Sequence, residues 1–144
     1  MSAMSDYLEN KMVDQLFRGQ TAPTTSTLYV ALLSAAPSDS GGGTELTGGS
    51  YARVAVTSSL TNWAGTQSAG STTASSGTGG QTSNNVAITF PTPSATWGTA
   101  THFGIYDNAS GGNLLFYGAL TIAKTINQSD TVTFPAGSLT VTFA

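Results

Sequence analysis

The chain has 144 residues, of which 39% are hydrophobic and only 8% are charged, and its formal net charge is −3. Four Lys and Arg residues in all give no basic stripe for phosphates, which argues against nucleic-acid binding. The sequence contains no cysteine, which excludes disulfides and thiolate metal sites. It also has no run of about 20 apolar residues that could cross a bilayer, so we expect no membrane partner.

The low charge is informative about the surface of the protein. Charged residues normally make up about 25% of a domain, and they keep a monomer soluble. Here Ser, Thr, Gly and Asn take their place, which indicates a surface that other protein chains cover; a secreted β-protein is the alternative. The N-terminal residues carry charges throughout and lack the apolar core of a signal peptide. We therefore expect synthesis in a cytoplasm.

Residues 1–20 are predicted to form an amphipathic helix. Ser5 is a good N-cap, Asp6 and Glu9 fall in the first turn where the helix dipole favours acids, and Gly19 is a good C-terminal stop. Apolar residues recur at helical spacing: Leu8, Met12, Val13, Leu16 and Phe17. Such a helix either plugs one end of the core or docks on a neighbouring subunit.

The first half of residues 21–144 contains two predicted strands. Thr27–Leu33 is apolar nearly throughout, which indicates a strand buried on both faces. Tyr51–Val56 alternates, with Arg53 on the same face as its first residue. Arg53 either faces solvent or forms an ion pair with Asp107 or Glu45.

Residues 65–85 form a Ser/Thr/Gly-rich stretch with no large apolar side chain. Such a stretch cannot bury enough surface to offset the entropy lost on ordering. It is also longer than the ~12–15 residues usual for a structureless loop in a compact domain. We expect a long loop, or an arm that orders against a partner, whose deletion leaves the fold intact and weakens attachment.

The second half of the chain is organised around a predicted β-hairpin. His102–Tyr106 and Asn113–Gly118 are apolar runs joined by a turn-forming sequence. Further predicted strands are Val86–Phe90, Thr121–Ile126, Thr131–Phe134 and Leu139–Phe143. About seven or eight short strands predict an all-β fold. We expect an antiparallel β-sandwich, jelly-roll-like or alternatively Ig-like, as a single domain over residues 21–144.

The sequence offers no convincing catalytic or metal site. His102 is the sole histidine, and Asp107 would point to the opposite face of the same strand. Serine never occurs in a nucleophile elbow, and the seven acids favour no pair for glycoside hydrolysis. No spacing matches a calcium loop, and Asp107 is better explained as a residue that caps its own turn. We expect no enzyme activity, cofactor, metal or small-molecule substrate.

Four aromatic residues raise the possibility of a sugar-stacking platform, with core packing as the alternative. They are Trp63, Trp97, Tyr106 and Tyr117.

Several short sequences occur in a distinctive order along the chain. They are YLENK (7–11), TLYVAL (27–32), TGGSYAR (47–53), HFGIYD (102–107), GNLL (112–115) and PAGSLTVT (135–142). As an ordered set they resemble a family of small structural proteins of tailed bacteriophages that are often labelled tail fibre proteins. The resemblance covers nearly the whole chain apart from residues 65–85. It implies a virion protein made in the host bacterial cytoplasm.

Within that family the short, poorly charged chain favours a capsid cement or decoration protein over a self-standing fibre. The expected partners are the major capsid protein and further copies of the chain, most simply as a homotrimer on a three-fold position. The alternative is a tail fibre or tail-tip protein with a role in host adhesion. Candidate partner-contact residues are Leu8, Met12, Leu16, Phe17, Trp63 and Trp97.

Overall fold

The computed structural model describes residues 2–22 and 25–143. Residues 1, 23, 24 and 144 lie outside this described part. Residue 1 belongs to the predicted helical segment 1–20, and the other three belong to the predicted β-domain 21–144. The described residues form one helix and ten strands, which follow one another in this order: β1 Ser2–Met4, α1 Asp6–Arg18, β2 Thr27–Ala35, β3 Thr44–Glu45, β4 Val54–Thr57, β5 Gln81–Ser83, β6 Ile88–Thr89, β7 Gly98–Tyr106, β8 Leu114–Ile126, β9 Thr133–Phe134 and β10 Thr140–Thr142.

A six-stranded antiparallel sheet forms one layer of the protein. Its strands lie in the order β1-β8-β7-β2-β3, and β4 also pairs with β2. The predicted hairpin is the β7–β8 pair at the centre of this sheet, where Ile105 lies opposite Phe116. β1 pairs with the outer edge of β8, and β2 pairs with the outer edge of β7, so strands from the N-terminal third of the chain lie on both sides of the hairpin.

Two short antiparallel ribbons, β5–β10 and β6–β9, form the second layer. The main core lies between the layers: Val30, Leu32, Phe103 and Ile105 of the sheet are clustered with Ile88, Leu139 and Val141 of the ribbon segments. This confirms the predicted all-β antiparallel sandwich with one N-terminal helix. The second layer consists of two ribbons, because the predicted strands 86–90, 131–134 and 139–143 pair over only two or three residues each.

Strand β2 is buried on both faces, as its apolar sequence predicts. Val30 and Leu32 belong to the main core, whereas Ala31 lies in a smaller cluster with Tyr106 and Leu114. Alternate residues of a strand point to opposite faces, so the uninterrupted apolar run serves both clusters.

The N-terminal segment contains a strand that the sequence prediction missed. β1 pairs with β8 from Ser2 opposite Gly118 to Met4 opposite Phe116. Three residues are too few for a periodic signal, so only the helix was predicted in residues 1–20. The chain turns directly from β1 into α1 at Ser5.

Helix α1 begins and ends where the capping residues predict. The Ser5 hydroxyl accepts from the Leu8 N–H at 3.3 Å and donates to the Leu114 carbonyl, and the Ser5 N–H donates to the Leu115 carbonyl at 2.9 Å. Gly19 closes the helix with a left-handed φ of 66°, a conformation that glycine adopts without strain. The start of the helix is therefore hydrogen-bonded to the first two residues of β8, Leu114 and Leu115.

The predicted strands 113–118 and 121–126 are parts of the single long strand β8. Pairing with β7 jumps from His102 opposite Ala119 to Ala100 opposite Lys124. Four residues of β8, 120–123, thus oppose the single residue Thr101. This enlarged bulge disrupts the ladder locally, and Ile122 within it is 81% exposed.

The predicted loop at 65–85 is correct only in its first part. Residues 65–80 form a loop in which side chains bond the backbone: Gly65 N–H donates to Ser71 Oγ at 2.9 Å, and Gly77 N–H donates to Thr66 Oγ1 at 3.0 Å. Residues 81–83, however, are β5, which pairs with β10. Because β5 belongs to the second layer, the expectation that the whole segment is dispensable for the fold is replaced by one limited to residues 65–80.

Asn84 explains why the end of this segment belongs to the core. Its side chain is completely buried. Nδ2 donates to the carbonyls of Val86 at 2.8 Å and Pro135 at 2.9 Å, and Oδ1 accepts from the Leu139 N–H at 2.9 Å. One amide side chain thus ties the start of the second layer to the turn before β10.

Candidate functional site

The residues that carry reactive groups are occupied with structural contacts. Asp107 accepts from Asn113 through both carboxylate oxygens, at 2.7 Å each, which confirms its predicted turn role. The His102 side chain contacts its neighbour in sequence, with its Nδ1 atom 2.8 Å from Thr101 Oγ1. In residues 2–22 and 25–143 no three His, Cys, Asp or Glu side chains cluster as metal ligands do. No helix in the same ranges has the length and apolarity to span a membrane.

Arg53 lies in a buried network at one end of the sheet. Its Nε and Nη2 atoms donate to the Glu45 carboxylate at 2.9 and 2.8 Å, and Nη1 donates to the carbonyls of Asn108 and Gly111 at 2.8 Å each. The guanidinium carbon lies 3.7 Å from the centroid of the Tyr106 ring. Of the alternatives, the ion pair with Glu45 is confirmed and a solvent-facing Arg53 is wrong, since its side chain is only 6% exposed.

Tyr51 extends this network into the core. Its hydroxyl donates to Glu45 Oε1 at 2.9 Å and accepts from the Leu32 N–H at 3.0 Å. Burial raises the pKa of Tyr51, and the neighbouring Glu45 carboxylate adds to the rise. The phenol therefore stays neutral and serves as a hydrogen-bonding bridge. The network fixes the β7–β8 turn against β3.

The four aromatic residues do not form a sugar-stacking platform. Trp97 is buried, packs edge-on against Tyr51 and donates from Nε1 to the Gly49 carbonyl at 2.9 Å. Tyr106 is covered by Arg53. Tyr117 donates to the Asp39 carboxylate, a bond that raises its pKa to about 12. Core packing, the stated alternative, accounts for Trp97 and Tyr106, and Trp63 is partly buried against the main core.

The six predicted partner-contact residues divide into three groups. Leu8 and Trp97 are buried in the core, where their surfaces are used in packing. Met12 and Trp63 are partly buried against the same cluster. Leu16 and Phe17 are 67% and 82% exposed.

The exposed residues of α1 form a continuous apolar surface. Val13, Leu16 and Phe17 fall within an arc of roughly 100° on the helix, and Val13 is 49% exposed. We call these three residues the distal helix face. Leu8 and Met12 thus pack on the domain, whereas the distal helix face is largely exposed.

A groove beside the bulge of β8 is the second notable surface feature. It has a volume of about 640 Å³ and is lined by buried core residues, including Leu32, Phe103 and Leu139. Its more exposed lining residues are the apolar Leu120, Ile122, Val132 and Phe134, together with threonines and Lys124. Lys124 is the one charged residue in the lining. We call this feature the β8 groove. Sequence reasoning missed it, since it depends on a bulge that has no periodic signal.

Comparison with known proteins identifies the family. The model of the family described as podophage GP4 fiber I protein gp80 matches residues 3–142. The chain belongs to this family. Comparison with individually curated proteins finds no match.

Membership of the gp80 fiber I family confirms the resemblance to small virion structural proteins of tailed phages. It places the protein in the virion. The matched range includes both the distal helix face and the β8 groove.

Proposed function

We propose that this protein is a non-catalytic structural subunit of a virion fiber and that it is incorporated through the distal helix face. The observation that supports this proposal is the exposure of Leu16 and Phe17 on a helix whose first turn is fixed to the domain. An apolar surface held out from a folded domain is typical of a protein–protein contact site. The fiber named in the family description supplies the context for that contact.

The low charge of the chain supports an assembled state. Charged residues make up 8% of the sequence, roughly a third of the usual share. A surface of Ser, Thr and Gly side chains loses little on being covered by other chains, since few charges must be desolvated. The absence of catalysis is part of the proposal, because Asp107, Glu45, Arg53 and Tyr51 all have structural hydrogen-bonding partners.

A capsid cement role is the second candidate. The small size of the sandwich and its low charge also suit a clamp that sits between neighbouring major capsid proteins, as a homotrimer on a three-fold position. The two roles differ in where the protein lies on the particle. The fiber role is favoured here because the family description names a fiber.

Immunogold labelling of purified virions tests the proposal. We expect gold restricted to the fibers, whereas gold distributed over the head would support the cement role. A particle that carries no label would overturn both candidates.

A matched pair of variants then tests the contribution of the distal helix face. L16S/F17S removes its two most exposed side chains, and L60S changes another exposed leucine, 55% exposed, away from α1. We expect L16S/F17S to be lost from virions and L60S to be incorporated normally. Equal incorporation of the two variants would contradict a role for this face.

A further inference from the structure

We propose that copies of this protein associate head to tail, with the distal helix face of one copy seated in the β8 groove of the next. The inference rests on the proposed fiber function and specifies how neighbouring subunits touch. The distal helix face is apolar and exposed, the β8 groove is lined by apolar side chains mixed with Ser and Thr, and both belong to the same chain.

The area of the distal helix face argues for a concave receptor. Three side chains with exposures of 49%, 67% and 82% present on the order of 300 Å² of apolar surface. Two such faces packed symmetrically would bury roughly 600 Å² in total, which is below the ~1,000 Å² of a specific interface. A helix that lies in a groove also buries its flanks, and this is the usual way in which amphipathic helices bind.

The β8 groove has the size and lining to receive the side chains of the distal helix face. Its volume of about 640 Å³ falls within the roughly 300–1,000 Å³ of pockets that enclose a drug-sized group. Leu120, Ile122 and Phe134 offer apolar contacts around an apolar lining. Phe17 is the natural central anchor, because large aromatic side chains in desolvated pockets carry most of the energy of an interface.

The charges of the two surfaces are complementary. Glu9 lies within the same helical arc as Leu16, about two turns nearer the N-terminus of α1. Lys124 is the one charge in the groove lining. Neither residue forms a salt bridge within the ranges that the structure describes. A helix seated in the groove brings one acid to one base, which fixes its direction.

The positions of the two surfaces favour a chain of subunits over a closed pair. Helix α1 is attached at Leu115, near the start of β8, whereas the groove is lined by residues 119–126 of that strand, so the two surfaces are different parts of the chain. A contact between two different surfaces of the same chain is heterologous and is repeated from copy to copy. If the rotation between copies does not close, the product is a filament.

Sedimentation velocity of mixed variants tests this geometry. L16S/F17S disables the helix and keeps the groove, and I122D/K124E disables the groove and keeps the helix; all four residues are exposed, so neither change disturbs the core. We expect wild type to form species that lengthen with concentration, and each variant alone to stay monomeric. An equimolar mixture should form a one-to-one dimer and nothing larger, because only one intact helix–groove pair exists.

The charge pair gives an independent check on register. E9K and K124E should each weaken association roughly two- to fivefold, as loss of an exposed ion pair does, and their combination in one chain should restore it. L60S serves as the control that leaves association unchanged.

Three results would overturn the inference: a monomeric wild type at all concentrations, variants that assemble like wild type, or a mixture that stays monomeric while wild type assembles. The proposed function fails separately, through the absence of label on virions. A labelled fiber whose purified subunit is always monomeric would reject the head-to-tail contact alone.

Discussion

Replacement of the buried Asn84 by alanine should destabilise the protein far more than the same change at its neighbour. N84A removes the hydrogen bonds of the Asn84 amide with the Leu139 N–H and with the carbonyls of Val86, Phe134 and Pro135. The Pro135 carbonyl keeps its bonds from the Ser138 N–H and hydroxyl, whereas the Leu139 N–H and the Val86 carbonyl lose their partner. Each buried polar group left unsatisfied costs about 1–3 kcal/mol. The two groups together give an expected loss of about 2–6 kcal/mol, a large part of the usual stability of a domain, roughly 5–15 kcal/mol.

Asn85 provides the matched control for this prediction. Its Nδ2 donates to the carbonyls of Ser71 and Leu60 at 3.1 and 3.4 Å, and its buried Oδ1 has no partner among the described residues. N85A should therefore cost less than about 1 kcal/mol. Urea unfolding followed by tryptophan fluorescence measures both, in the L16S/F17S background so that assembly does not contribute to stability. Midpoints for N84A and N85A that agree within error would refute the structural role assigned to Asn84.

Two further predictions concern the loop and an exposed tyrosine. Deletion of residues 67–76 joins Thr66 to Gly77, which already bond each other, and should leave the unfolding midpoint nearly unchanged. Deletion of residues 81–85 should abolish folding. Equal effects of the two deletions would show that the loop at 65–80 is also structural. The bond to Asp39 raises the pKa of Tyr117 to about 12, so its contribution to stability is complete below pH 10 and is lost as pH rises through 12. Ultraviolet titration should show that Y117F removes a phenol ionising near pH 12, and loss of one ionising near pH 10 would contradict the Asp39 contact.

The elements that the sequence predicts best are those with strong local signals. The capped helix at Asp6–Arg18, the apolar strand around Val30 and the hairpin at 98–126 all carry periodicity or turn chemistry that precedes tertiary packing. By contrast, β1 and β5 have only three residues each, and their pairing depends on partners more than 50 residues away. Asn84 illustrates the difficulty, because a Ser/Thr/Asn-rich stretch gives no sign of which amide will be buried.

The two surface features differ in the same way. The distal helix face lies on a helix that the sequence predicts, although the sequence alone does not show that the domain covers only Leu8 and Met12 and leaves Leu16 exposed. The β8 groove depends on the mismatch of four residues against Thr101. That mismatch depends on the register of β7 and β8 on either side of Thr101, so no local sequence pattern predicts it.

The attachment of α1 to the sheet bears on how the protein would carry mechanical load in the proposed fiber. Helix α1 directly follows β1, and β1 pairs antiparallel with Phe116–Gly118 of β8. The Ser5 hydrogen bonds lie at the point where β1 ends and the helix begins. Hydrogen bonds of an antiparallel pair run perpendicular to the strands. Tension applied through the helix along the strand axis is therefore shared by all of these bonds at once, and the subunit resists being peeled open one bond at a time.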